Sequence, residues 1–97
     1  MSYIENILTT IRHLKPELVA RYNIGSIGIF GSVVRDDFSP STSDIDIIVD
    51  FTKPIGIEFV DLAEYLESKI NRKVDLVSKN GIKPGYLEQI ESEIVYV

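Results

Sequence analysis

The sequence predicts an α+β chain, short strands laid between amphipathic helices, and three observations predict it. Helical-period apolar stripes occupy the first segment and residues 57–71; β-branched runs occupy residues 26–30, 43–51 and 73–78; Gly, Pro or Asn separates them. A last run, IVYV, closes the chain as a candidate strand.

SYIENILTTIRHL carries Ile4, Ile7, Leu8, Ile11 and Leu14 at helical spacing, and Ser2 with Glu5 forms a capping-box pattern. Pro16 should break or kink that helix, and PELVARY restarts it with Leu18, Val19 and Tyr22 inward until Asn23 and Gly25 end it. SIGIF, residues 26–30, is the first strand and stops at Gly31. SDIDIIVDF is the second, apolar enough for a central place in a sheet, and TKPIG turns the chain after it. IEFVDLAEYLESKIN puts Phe59, Leu62, Ala63, Leu66 and Ile70 on one stripe that should cover the sheet. In KVDLVS, Val74 and Leu76 face one way and Asp75 and Val77 the other. Pro84 opens a short helix with Leu87 and Ile90 on one side.

A chain of 97 residues fits one domain, 1–97, with one modest core. It contains no cysteine, which excludes disulfides, thiolate metal sites and a cysteine nucleophile. No apolar run approaches a membrane span and the N-terminus lacks the marks of a signal peptide, so a soluble, cytoplasmic protein is expected. The net charge is -5 and no Lys/Arg cluster could track a phosphate backbone, which argues against stand-alone nucleic-acid binding.

The second strand poses the chemical question. Its alternation sends Ile45, Ile47 and Val49 to one face and Asp44, Asp46, Ile48 and Asp50 to the other. Gly31 and Ser32 taken alone suit a strand-to-helix turn with Ser32 as N-cap, Asp46 alone suits an edge-strand charge, and Asp75 alone suits a solvated position. Together they are harder to dismiss, because neighbouring carboxylates disfavour one another's ionised form and a divalent cation removes that cost. Carboxylates two apart on a strand lie about 7 Å apart at the backbone, close enough for side chains to converge on a metal with an acid from a neighbouring strand. All-oxygen ligands favour Mg²⁺ or Mn²⁺ over zinc. If Ser32 opens a helix through Arg35, its amides face an anion, and a triphosphate is the natural candidate.

The succession GS, Arg35, SDIDIIV and VDLV resembles the minimal nucleotidyltransferases of the DNA polymerase β superfamily, particularly the small antitoxin-type proteins paired with HEPN-domain toxins. The likeness runs over most of the chain, from the helix before GIFGS to the terminal IVYV. It implies a small mixed β-sheet backed by helices, a polymerase β palm-like nucleotidyltransferase core. It places Gly31 and Ser32 at the nucleotide phosphates, Arg35 on a phosphate or bracing the loop, and Asp44, Asp46 and Asp75 as the catalytic, metal-binding triad. Two Mg²⁺ ions would serve the reaction, with ATP as donor of AMP. The acceptor would be a tyrosine of a HEPN toxin ribonuclease, silenced by the modification; homo- and hetero-oligomers both stay open. A non-catalytic antitoxin and a transferase acting on a small molecule such as an aminoglycoside are the alternatives. The chain departs from the motif at Val34 and Asp36, where small residues are common, and Asp36 and Asp37 would bring negative charge near a triphosphate.

Other residues carry blander expectations. His13 suits a surface or packing role; Tyr65, Tyr86, Tyr96 and Phe59 suit cores or interfaces; Asp50 is a second-rank acid. Glu88, Glu91 and Glu93 form an acidic helical surface that is solvated or meets a basic partner.

Overall fold

The computed structural model describes residues 3–35 and 44–97. Ser2 of the capping-box pattern, Asp36, Asp37 and the SPSTS run lie outside the described residues. The elements follow in the order α1 (Tyr3–Tyr22), β1 (Ile24–Phe30), α2 (Ser32–Arg35), β2 (Ile45–Phe51), α3 (Glu58–Ile70), β3 (Val74–Ser78), α4 (Pro84–Glu91) and β4 (Val95–Tyr96). A single 3₁₀ turn, Lys79–Gly81, follows β3 and was not expected from the sequence. Among the described residues no helix is long and apolar enough to cross a membrane.

The strands form one sheet in the order β3-β2-β1-β4, with β2 in the interior as its apolar sequence predicts. β1 runs antiparallel to β2 and β4, while β2 and β3 are parallel, joined over the sheet by α3. The sheet is therefore mixed, as the family likeness implies.

One face carries the main core. Ile27 and Ile29 of β1, Ile45, Ile47 and Val49 of β2 and Val74 of β3 pack there against Ile7, Ile11 and Leu18 of α1 and Leu62 and Leu66 of α3. Burying each of these side chains contributes about 1.5–3 kcal/mol. β1 begins two residues earlier than SIGIF predicts, because a bulge at Gly25 lets Ile24 pair with Phe51 and face the same core as Ile27.

Helix α1 corrects two expectations. It continues as one helix through Pro16 rather than breaking and restarting there, since Ile7, Ile11, Leu18 and Tyr22 form one buried stripe across the proline and hold both halves to the same core. The carbonyl that Pro16 cannot serve belongs to Arg12, whose exposed position lets water replace the lost donor. Val19 lies off that stripe and is 43% exposed rather than inward. Asn23, at φ 56°, then turns the chain directly into β1.

The opposite face bears the acids and a smaller core. Phe30, Ile48 and Ile90 are buried there with Val77, Ile82, Leu87 and Ile94 around them. Thus α4 lies on the same face as the acids and covers its apolar part.

Candidate active site

The acids and the Gly-Ser turn meet at one end of the sheet. β1 ends where β2 and β3 begin: Phe30 pairs with Asp46, and Asp46 pairs in register with Asp75 on the parallel strand. Directly paired residues on neighbouring strands point the same way, so the two acids leave the same face of strands whose backbones lie about 4.8 Å apart. Asp44 sits exposed just before β2. Asp50 lies four residues further along β2, about 13 Å from Asp46. That β2 is interior removes the edge-charge explanation of Asp46.

Gly31 makes the sharp turn from β1, at φ 81°. Its carbonyl accepts from the amides of Val34 (3.0 Å) and Arg35 (3.1 Å), so the backbone of Gly31 caps a single helical turn and Ser32 is its first residue, not its N-cap. A four-residue helix has little macrodipole; what it offers an anion is the Ser32 and Val33 amides at its start. A Cβ on Gly31 would overlap the Asp46 carboxylate, lying 3.0 Å from its Cγ. The turn is therefore pressed directly against the acid.

Asp46 shows the electrostatic cost of this arrangement. Burial first, then the charges of Asp75 and Asp44, push its pKa up to about 6, with Arg35 pulling the other way and Glu93 adding to the rise. The folded, metal-free chain thus holds this proton more tightly than the unfolded chain. Its stability should fall as pH rises from about 4 to about 6, because there the native state binds more protons than the unfolded one. Asp46→Asn should remove that slope and, with solvent screening of a half-buried group discounted, stabilise the metal-free protein at pH 7 by about 1 kcal/mol. Urea unfolding across this range with a chelator present checks it; a parent and variant with parallel pH profiles would contradict it.

A divalent cation would relieve the same cost, and the donor set fits one. Among the described residues no group of three acidic, His or Cys side chains converges into a ready-made cage. Mg²⁺ does not need one, since it is usually held by one or two carboxylates with waters and substrate phosphates completing its shell. Asp46 with Asp75, and Asp44 beside them, could hold it.

A cleft of about 320 Å³ opens at this point, between Phe30, Gly31, Arg35 and Asp46 on one side and Tyr86, Gln89, Ile90 and Glu93 on the other. A larger one, about 440 Å³, lies near Phe51, Lys53, Pro54 and Asn80 at the far end of β2 and has no acidic residue in its wall. The smaller cleft is the candidate site, because the Asp46 and Glu93 carboxylates, the Arg35 guanidinium and Gly31 line it, with Ser32, Asp44 and Asp75 outside its wall.

Glu93 changes its meaning. Instead of joining a solvated helical surface it follows the end of α4 and turns inward, accepting at Oε1 from the Gly31 amide and from Arg35 Nη1, both at 3.1 Å. No local pattern in ESEIVYV marks it, since the contact joins residues 62 positions apart. Tyr86 and Tyr96 are 47% and 46% exposed and belong to neither core, and Tyr86 lines the cleft. His13 is exposed on α1.

Paired acids beside a glycine turn, on a mixed sheet backed by helices, are an arrangement suited to moving a phosphate-linked group. The chain belongs to the nucleotidyltransferase domain family, whose pattern matches residues 11–97. It is 44% identical over 95 residues to the protein adenylyltransferase MntA of Thermococcus cleftensis, covering 97% of this chain and 92% of that one. Its fold matches a solved minimal nucleotidyltransferase at a TM-score of 0.78 with 29% identity, covering 98% of this chain and 95% of that one. It also matches the fold of a chain in the complex of a tri-AMPylated Shewanella oneidensis HEPN toxin with its MNT antitoxin, at a TM-score of 0.66 and 22% identity, covering 97% and 70% of the two chains. The chain is a nucleotidyltransferase.

Proposed function

We propose that this nucleotidyltransferase transfers AMP from ATP to a tyrosine hydroxyl of a HEPN toxin and so acts as its antitoxin, with Mg²⁺ as cofactor. The observation that carries the reading is the in-register Asp46–Asp75 pair, with Asp46 pressed against the Gly31 turn. The name of the Thermococcus relative supports the transferred group and the protein acceptor.

In this reading Ser32, the first amides of α2 and Arg35 hold the phosphates, while Asp44 and Asp46 hold the metal. The acceptor oxygen attacks the α-phosphorus, the bond to the bridging oxygen between the α- and β-phosphorus breaks, and pyrophosphate leaves. Asp75, exposed beside Asp46, orients the acceptor hydroxyl and receives its proton. The cation, when bound, neutralises phosphate charge and makes the hydroxyl easier to ionise.

The test is intact-mass spectrometry of a HEPN protein encoded beside this chain, after incubation with the chain, ATP and Mg²⁺. Mass increments of adenylyl groups on a tyrosine are expected. An unmodified partner across all four nucleoside triphosphates and both Mg²⁺ and Mn²⁺ would overturn the reading.

A further inference from the structure

We propose that Glu93 is a positioning residue for the phosphate-binding turn, its carboxylate fixing the Gly31 amide and the Arg35 guanidinium in the geometry that receives the donor's phosphates. The inference rests on the reading of this cleft as the nucleotide site.

Three observations carry it. One oxygen of Glu93 accepts from both groups at 3.1 Å, joining the end of β1 to the start of β4 across the cleft. The Glu93 side chain is only 21% exposed, against 51% for Arg35, so the carboxylate is the more enclosed of the two partners. Its backbone is fixed in turn: the Glu93 amide donates to Ile90 O at 2.9 Å, while Ile90 and Ile94 pack into the core beneath the cleft.

Two charge-assisted contacts, to the Gly31 amide and to Arg35, hold the carboxylate in this place on the acidic face. What the contact secures is geometry. Gly31 sits in the left-handed region, and a charge-assisted bond to its amide holds that turn against the Asp46 carboxylate. The single Gly31 donor is thereby committed to Glu93, so the phosphates fall to the Ser32 hydroxyl, the Ser32 and Val33 amides and Arg35. A guanidinium has five N–H donors, and a bond to Glu93 is compatible with a phosphate contact.

The experiment compares Glu93→Ala, Glu93→Gln and Arg35→Ala with the parent, all as the full chain. It measures amide hydrogen exchange at Gly31, affinity for a fluorescent ATP analogue with Mg²⁺, and KM for ATP against kcat in the transfer assay. Glu93→Ala should expose the Gly31 amide to exchange and weaken nucleotide affinity about tenfold. Glu93→Gln, which keeps an acceptor for Gly31 but loses the charge, should fall between Ala and parent. The effects of Glu93→Ala and Arg35→Ala should be less than additive, because either breaks the same contact. Parent-level Gly31 exchange and affinity in Glu93→Ala would overturn the proposal, as would tighter binding, which would make Glu93 a competing anion. A parent that binds no nucleotide overturns the functional reading and the role of Glu93 with it; a parent that binds while Glu93→Ala binds equally overturns the role of Glu93 alone.

Discussion

Replacing Asp44 and Asp46 together by Asn is expected to reduce AMP transfer about a thousandfold or more while the chain stays folded. Asn keeps the volume of Asp and removes its charge, so packing of residue 46 against the Gly31 turn survives, and under the proposed function the cation loses its two principal ligands. Because ionised Asp46 is disfavoured where it stands, the variant should be at least as stable as the metal-free parent at pH 7. That combination, a chain no less stable and no longer active, separates a catalytic loss from a folding loss. Circular dichroism and urea unfolding read the first property, and labelled-ATP transfer with the toxin partner reads the second. The same variant decides how neutralisation works. If cells carrying the toxin are protected equally by parent and variant, neutralisation is by complex formation and the proposed catalytic route fails.

Much of this site is legible in the sequence because it lies on strands and at a strand end, where local rules fix direction. The period of two in SDIDIIVD is enough to put Ile45, Ile47 and Val49 into the core and Asp46 on the other face, and VDLVS orients Asp75 by the same rule. What that rule cannot supply is register: that Asp46 stands opposite Asp75, and Phe30 opposite Asp46, emerges only when three strands assemble. Glu93 is hidden in the sequence for a related reason. It reaches the site from beyond α4 across a contact with no local pattern, so it looked like one more charge among Glu88 and Glu91. Pro16 misled in the opposite direction, since the intrinsic cost of a helical proline is clear in sequence while the tertiary packing of Ile11 and Leu18 that overrides it is not.

Gly31→Ala should be the most damaging single substitution in the turn, lowering stability by about 2–3 kcal/mol and removing nucleotide binding. Two separate causes add. At φ 81° any side chain is strained, and here the new methyl group would also overlap the Asp46 carboxylate. That carboxylate has a poor escape route, because β1 and β3 flank β2 and moving away from Gly31 means moving toward Asp75. The two causes can be told apart by a double-mutant cycle with Asp46→Ala, which removes the overlap and leaves the strained backbone; the second substitution should recover part of the lost stability and none of the activity. Gly85→Ala is the control. It lies near the start of α4 with nothing within 4 Å of an added Cβ, so it should leave stability equal or raise it by about 0.5 kcal/mol. Should Gly31→Ala unfold at the same urea concentration as the parent, Asp46 would have to move freely, and a turn pressed tightly against that acid would no longer describe this protein.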